Sequence, residues 1–362
     1  MKSLLIVMTL FYISSCVNRE KEVLELTLVY QTDSIKIDVP YLSDYQKSSL
    51  SCRNDQILFY GYNRFLHSID VLNLSSLSEV CSYELEKEGP RGVLNVMCFK
   101  EYQDKFIIQT MRDFLVYDPE SGILKKYGNT DLLNNTYTTQ VFGVSAGNYM
   151  YFECADDQLY FNARPRSYLN DSTFYLKPTA IQLDINTGEV SLMDIPYPVE
   201  LRDGLDFYAS MADIQITRIK NKLVYNFPYS SKIYVYDLES GSRKEYIGEV
   251  GMSKKAPACG LAKNEKNAWQ HMIYDMCALR YSPIYYHSSI SKYSRIRYHK
   301  RESMKEQREY DIELFDKDFN LIAKYNIPFR FTSYNKTDDG LIFVVYTLAT
   351  ADEWFKFANV KF

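Results

Sequence analysis

The stretch Lys232-Ile-Tyr-Val-Tyr-Asp237, Leu238-Glu-Ser-Gly241, Ser242-Arg-Lys-Glu-Tyr246 decides the fold. Its first segment is rich in β-branched and aromatic residues, as half-buried strands are. Asp237 begins a turn by accepting hydrogen bonds from the backbone that follows it, and Gly241 supplies a positive φ at the end of the turn. The stretch therefore predicts a β-hairpin.

The same layout recurs along the chain at intervals of 45 residues or more. The other predicted turns begin at Asn73, Asp118, Asp184 and Asp316. Most of the hairpins follow a further predicted strand, at 56–60, 105–109, 148–152 and 222–226. Units of three or four strands that repeat at this interval are typical of β-propeller blades, whose faces are buried only by stacking on neighbouring blades.

The two ends of the chain predict how the ring closes. Alternating apolar residues at 23–30 and 34–39 indicate N-terminal strands, and 340–346 with 354–360 form a final blade that lacks its outer strand. An N-terminal strand that completes this blade would remove the exposed sheet edges. We therefore predict an all-β fold, a six-bladed β-propeller closed by an N-terminal strand. A seventh blade within 250–300 is the alternative, and a pair of β-sandwiches, which would lack the regular hairpins, is the rival architecture.

The N-terminus has the pattern of an export signal. Lys2 is followed by the apolar run Leu4 to Ile13 and then by Ser14-Ser15-Cys16. A charged start, a short apolar core and small residues before a cleavage point are typical of a signal peptide. We predict a signal peptide over 1–15, a tether over 16–22 and a single propeller domain over 23–362.

The composition excludes several classes of protein. The chain has 362 residues, of which 46% are apolar and 24% charged, so it is not a disordered chain. With 42 Lys and Arg against 46 Asp and Glu, it lacks the basic surface of a nucleic-acid-binding protein. After the N-terminal run, no segment approaches 18 uninterrupted apolar residues.

Ile13-Ser14-Ser15-Cys16 resembles the lipobox of bacterial lipoproteins, in which the cysteine is lipidated. Together with the hairpins and the loop Glu88-Gly89-Pro90-Arg91-Gly92, it resembles the six-bladed propeller lipoproteins of Gram-negative gut bacteria, a family of unknown function. The resemblance implies the fold and an acyl anchor, such as palmitate, on Cys16. Val17 is not the Asp of an inner-membrane retention signal, which favours the outer membrane, on its periplasmic or cell-surface side.

Three further features of the sequence predict local structure. Trp269, Met272, Ile273 and Met276 have helical spacing and predict a helix within 262–280 that packs an apolar stripe on the core. The basic run 292–301 predicts a solvated strand face, and contacts of its arginines and tyrosines with an anionic or sugar ligand are the alternative. Apart from Cys16, the six cysteines lie in part within apolar stretches and are interpreted as buried thiols rather than a disulfide framework.

No motif in the sequence indicates catalysis. Gly143-Val-Ser-Ala-Gly147 matches the GxSxG pattern of serine hydrolases, but the residues after it predict a strand where that motif needs a helix. Four histidines without paired spacing indicate no metal site, and no cofactor is identified. A pair of channel-lining carboxylates of the glycosidase type stays open.

The candidate binding residues come from loops that depart from the minimal hairpins. Insertions at 162–179 and 250–282, and the loop at 88–92, are the unusual ones, and long loops on a rigid scaffold often carry binding. We predict ligand contacts at Arg91, Arg164, Arg166 and Tyr168, because arginine binds carboxylate or phosphate through two hydrogen bonds.

The sequence therefore favours a lipid-anchored envelope protein that binds a ligand or partner. The expected partners are the membrane, through the lipid, and an anionic or sugar ligand or an envelope protein. One alternative is an enzyme that acts on polysaccharide or envelope fragments. Another is a structural subunit of an envelope complex.

Overall fold

Six β-sheets form the blades of a β-propeller, so the predicted fold is confirmed. The computed structural model describes residues 23–37, 45–89, 92–110, 112–128, 137–138, 152–165, 174–202, 207–259, 268–345 and 354–362.

In each blade, the strands after the N-terminal segment follow one another in chain order from the axis outward. Two N-terminal strands, β1 (Leu24–Leu26) and β2 (Tyr30–Lys36), precede them. The first blade comprises β3 (Ser48–Arg53), β4 (Gln56–Asn63), β5 (Ser68–Asn73) and β6 (Ser78–Glu84). The second comprises β7 (Cys98–Tyr102), β8 (Lys105–Gln109), β9 (Asp113–Asp118) and β10 (Gly122–Gly128).

The third and fourth blades have the same order. A short pair, β11 (Tyr137–Thr138) and β14 (Arg164–Pro165), lies beside the third blade, which comprises β12 (Phe152–Ala155), β13 (Gln158–Asn162), β15 (Pro178–Asp184) and β16 (Val190–Pro196). Helix α1 (Val199–Arg202) leads to the fourth blade, which comprises β17 (Gln215–Ile219), β18 (Lys222–Asn226), β19 (Ile233–Asp237) and β20 (Arg243–Tyr246).

The last two blades complete the ring. Helix α2 (Ala268–Cys277) precedes the fifth blade, whose innermost strand is divided into β21 (Arg280–Tyr281) and β22 (Tyr285–His287), followed by β23 (Lys292–Tyr298), β24 (Tyr310–Phe315) and β25 (Leu321–Asn326). The sixth comprises β26 (Phe331–Lys336), β27 (Gly340–Val345) and β28 (Trp354–Lys361). The segment 250–300 therefore supplies a helix and the inner half of the fifth blade instead of a seventh blade.

The N-terminal segment closes the ring, as predicted. Strand β2 pairs antiparallel with β28 along seven residue pairs and becomes the outer strand of the sixth blade. The shorter β1 also pairs, in parallel, with β25 of the fifth blade. The segment thus bonds to two adjacent blades, a second attachment that the sequence pattern did not indicate.

Apolar side chains fill the spaces between blades. Ile35 of β2 and Phe355 of β28 belong to the same buried cluster as Phe59 and Leu72 of the first blade. Each fully buried side chain of this size contributes about 1.5–3 kcal/mol relative to an exposed one. The cluster therefore holds the first blade against the last, where the ring is joined.

The predicted turn chemistry is present in five blades. The Oδ1 atoms of Asn73, Asp118, Asp184, Asp237 and Asp316 each accept hydrogen bonds from two backbone N–H groups two to four residues further on. Gly241 has the expected positive φ, 67°. In the fifth blade, Phe319 takes the positive φ, 58°.

Because neighbouring strands within each blade are antiparallel, the connections fall on two faces. One face, here called the loop face, carries two sets of loops. The first set leads into the innermost strands, as 207–214 does, and the second joins second to third strands, as 299–309 does. The turns between first and second strands, such as Asn54–Asp55 and 337–339, lie on the opposite turn face.

Several local predictions need correction. Helix α2 lies within the predicted range, but its apolar stripe is only half-buried, Trp269 is exposed, and the buried residue among 269–277 is Asp275. The basic run is not a solvated face throughout, since Arg295 is fully buried. The six cysteines other than Cys16 are free, but Cys52 is exposed and Cys81 and Cys277 are partly buried.

Two further expectations concern the third blade. Of the predicted strand 148–152, only Phe152 lies within the described residues, where it begins β12. The strand that precedes the predicted hairpin is instead β13, which lies partly in the segment interpreted as an insertion. The GxSxG stretch at 143–147 lies outside the described residues.

Candidate functional site

Polar side chains concentrate on the innermost strands, around the axis. Each of the six innermost strands contributes at least one buried polar or charged residue: Ser48, Ser49, Ser51, Glu101, Glu153, Gln215, Thr217, Arg280, His287, Ser333 and Asn335. Buried polar groups are stabilising only when hydrogen bonds compensate for lost water. The centre of the ring is therefore built for polar contacts, whereas the spaces between blades are apolar.

A cavity of about 220 Å³ opens within this polar centre. Its wall is drawn from four blades: Ser49, Leu50 and Cys52 of β3, Lys100 of β7, Tyr285 of β22, and residues 334–338 of β26 and its turn. The cavity lies toward the turn face, because 337–338 begin the turn after β26. At about 30 Å³ for each water of the liquid, the space corresponds to about seven water molecules.

One of the two lysines in the cavity wall is already neutralised. The Nζ atom of Lys100 forms an ion pair with Oε1 of Glu153, a buried residue of β12 in the next blade. Its Nζ also donates to the carbonyl oxygen of Cys154 at 3.4 Å. Lys100 therefore joins two blades, and its charge is largely used within the protein.

The second lysine, Lys336, faces the cavity without such a partner. Within the part of the chain that the structure describes, no hydrogen bond or ion pair engages its ammonium group. Much of its side-chain surface is exposed, yet protein surrounds it and lowers its pKa by removing water, and Lys100 lowers it further. The carboxylates of Glu153 and Asp338 act in the opposite direction. Lys336 therefore presents a poorly solvated positive charge to the cavity.

The remaining wall gives the cavity a mixed character. Oδ1 of Asp338 accepts a hydrogen bond from Oγ of Ser288 at 2.8 Å. The exposed thiol of Cys52 has a raised pKa, first because of burial and then because of the charge of Asp338, so it is held as a neutral thiol. Leu50 and the ring of Tyr285 add apolar surface.

A separate group of ionisable residues lies at the loop face of the third, fourth and fifth blades. Nη2 of Arg164 lies 3.1 Å from Oδ1 of Asp213, and both side chains are mostly buried. Oδ2 of Asp275, on helix α2, accepts a hydrogen bond from Oγ of Ser210, and Nη1 of Arg280 donates to the carbonyl oxygen of Asp275 at 3.3 Å. These contacts hold the loops of three blades together.

Burial controls the protonation of the acidic members of this group. Together with the charge of Asp213, it raises the pKa of Asp275 to about 7, although Ser210, Arg280 and Arg164 oppose the shift. Burial also raises the pKa of Asp213, against the attraction of Arg164.

Of the residues predicted as ligand contacts, Arg164 is the one that the structure describes. Its side chain is 14% exposed and bound to Asp213, and it lies in the short strand β14 rather than in a loop. Arg91, Arg166 and Tyr168, and the lipidation site Cys16, lie outside the described residues. Convergence of Arg91 and Arg164 on one ligand thus stays a prediction.

Sequence reasoning missed the cavity residues because it did not identify the innermost strands. Lys100 and Glu153 each lie between apolar residues of a short strand, in Phe99-Lys-Glu101 and Phe152-Glu-Cys154. A charged residue inside a buried strand was the available signal. Its pairing across blades depends on the order of strands around the axis, which spacing alone does not provide.

The described residues offer no candidate for metal binding or for a membrane-spanning helix. No three or more His, Cys, Asp or Glu side chains are grouped closely enough to hold a metal ion there. None of the helices there has the length and hydropathy needed to cross a membrane.

Solved structures resemble this chain to different degrees. A crystal structure of a DUF4221 family member from Bacteroides vulgatus has a TM-score of 0.69 and 16% identity, covering 93% of this chain and 98% of that one. BamB from Moraxella catarrhalis has a TM-score of 0.38 and 9% identity, covering 87% and 82%. A luciferin-regenerating enzyme has a TM-score of 0.45 and 9% identity, covering 92% of this chain and 96% of that one. At these values, only the fold of the Bacteroides protein bears on this chain.

Comparison at the level of sequence identifies the family. No curated protein matches the chain. The family model described as a domain of unknown function, DUF4221, matches residues 22–323, which is most of the sequence and extends from the N-terminal strands into the last strand of the fifth blade. With the same ring in a solved member, the match shows that this chain belongs to the DUF4221 family.

Proposed function

We infer that this protein is a lipid-anchored binding protein of the bacterial envelope that holds a small ligand in its central cavity. The observation that carries the inference is the cavity itself, walled by four blades and containing the ammonium group of Lys336, for which the described residues provide no hydrogen bond or ion pair. Ligand sites are typically concave spaces with a few convergent polar groups on a rigid scaffold.

The arrangement of charges supports binding over hydrolysis. A glycosidase-type mechanism needs two carboxyl groups that are free to exchange protons and to attack or activate water. Glu153, which lies outside the cavity wall, is bound to the wall residue Lys100, and Asp338 of the wall accepts a hydrogen bond from Ser288. The catalytic alternative therefore has less support than binding.

Variants of Cys52 test the cavity, because this exposed residue lies in its wall and makes no ion pair among the described residues. Cys52→Phe should fill the cavity, and Cys52→Ser should leave it open. A chemically broad panel of neutral, anionic and cationic metabolites would be screened by thermal shift against both. We expect at least one compound to raise the Tm of the wild type and Cys52→Ser only. No such compound, or an equal response of Cys52→Phe, would contradict the proposal.

The membrane anchor has its own test. The position of Cys16 directly after the apolar N-terminal run supports lipidation, and two or more acyl chains anchor a protein stably without a spanning helix. Cys16→Ser should release the protein into the soluble fraction or leave the precursor uncleaved, as judged by fractionation and mass. Normal processing with full retention in the outer membrane would contradict the anchor.

A further inference from the structure

The cavity contains one positive charge for which the described part of the chain provides no direct partner. Lys100 is bound to Glu153, so that pair contributes little net charge. Lys336 has neither a hydrogen bond nor an ion pair within the described residues, although the surrounding protein removes part of the water around it. A poorly solvated ammonium group gains more from a bound anion than a lysine in open water does, because water screens the charge less.

The surrounding charges limit what kind of anion fits. Glu153 and Asp338 both lie near enough to Lys336 to affect its ionisation. A dianion such as phosphate would be repelled by these two carboxylates, and Lys336 is the one cation without a partner among the described residues that would attract it. No arginine lies in the described wall to bind phosphate through paired hydrogen bonds. A monoanion neutralises the charge of Lys336 and is repelled less by the two carboxylates than a dianion is.

The rest of the wall suits the body of an organic molecule. Leu50 and the ring of Tyr285 provide apolar surface, and Asn335 and Ser49 add polar edges. A volume of about 220 Å³ exceeds the needs of a simple inorganic ion. The cavity thus combines one site for negative charge with room for carbon atoms.

We propose that the ligand of the central cavity is a small organic monocarboxylate whose carboxylate group binds the ammonium group of Lys336. This proposal rests on the proposed binding function and specifies its ligand class. The body of the ligand then lies between β3 and β22, against Leu50 and Tyr285.

The test uses the full mature chain and titration calorimetry. The probes are acetate, benzoate and galacturonate, each paired with its neutral primary amide, together with inorganic phosphate. We expect at least one carboxylate to bind at least tenfold more tightly than its amide. Lys336→Gln should abolish this preference, and Lys244→Gln, a change at an exposed lysine of the outer strand β20, should preserve it.

Two results distinguish failure of this proposal from failure of the binding function. If compounds bind in a manner sensitive to Cys52→Phe but the carboxylates show no preference over their amides, the ligand class is wrong and the cavity remains a binding site. Tighter binding of phosphate than of every carboxylate would likewise overturn the class. If neither these probes nor the metabolite panel respond to Cys52→Phe, both proposals fail.

Discussion

The guanidinium group of Arg295 and the carboxylate of Glu313 form an ion pair with no exposed surface on either side chain. The two residues are direct cross-strand neighbours in β23 and β24, and Nε lies 2.7 Å from Oε2. The same guanidinium donates to the carbonyl oxygens of Ser231 and Gly248 in the fourth blade, both at 2.7 Å. One side chain thus bonds the fifth blade to the fourth, and the ring of Tyr281 covers it at 4.2 Å.

Removal of Arg295 alone should be strongly destabilising. Arg295→Met leaves Glu313 buried without its partner, which typically costs about 3–5 kcal/mol. Arg297 lies 3.9 Å from Oε1 of Glu313 and should offset part of this cost. The measurement is the free energy of unfolding from urea titration.

The double variant Arg295→Met/Glu313→Leu separates the buried charge from the lost packing. It should recover much of the loss, because no charge then remains unpaired. Recovery should be incomplete, since the carbonyl groups of Ser231 and Gly248 still lose their donor. A double variant as unstable as Arg295→Met would show that the unpaired carboxylate is not the cause.

The N-terminal strand should matter for stability through its inward side chain. Ile35 is 1% exposed and packs in the cluster between the sixth and first blades. Ile35→Ala should lower the free energy of unfolding by about 2–5 kcal/mol, as a buried truncation does. Thr32→Ala, at an exposed position of the same strand, should change it by less than about 0.5 kcal/mol.

Truncations distinguish the two N-terminal strands. Deletion through Val29 removes β1 and keeps β2, so the ring remains closed and unfolding should remain cooperative. Deletion through Ile37 also removes β2 and exposes the edge of β28, which should cause aggregation or loss of cooperativity. Unchanged melting of the longer deletion would contradict closure by β2.

The outer half of each blade was predictable from sequence because its signals are local. An Asp or Asn that caps a turn sits a fixed distance from the strands on either side, as Asp184 and Asp237 show. The first turn of most blades also has a local signature, in which residues such as Asn54 and Asp55 adopt positive φ. Such pairs follow the innermost strands of the first three blades.

The cavity was not predictable in the same way, since it depends on strands far apart in the chain. Lys100 meets Glu153 from another blade, and Lys336 approaches Cys52 only because the ring closes. Hydrophobic periodicity specifies which face of a strand is buried, but it does not specify the neighbouring blade. The same limit explains Arg295, whose charge indicated a solvated position until its partners in the fourth blade were known.

The loop-face ion group predicts an unusual dependence of stability on pH. The pKa of Asp275 is about 7 in the folded chain, against an ordinary value of 3.8. Because the folded state holds this proton more tightly, its contribution to stability is present below about pH 4. It is lost progressively as the pH rises from about 4 to about 7 and stays absent above that range. The wild type therefore has a buried carboxylate that opposes folding at pH 8.

Asp275→Asn should remove this effect, because the amide is neutral at every pH and its oxygen can still accept the hydrogen bond from Ser210. We expect the variant to have a higher Tm than the wild type at pH 8, with the difference shrinking toward pH 4. The control is Asp237→Asn at an exposed turn, where hydrogen bonds from Ser240 lower the pKa of the carboxylate and the sign is reversed. Parallel Tm curves for the wild type and Asp275→Asn from pH 4 to pH 8 would show that Asp275 keeps an ordinary pKa.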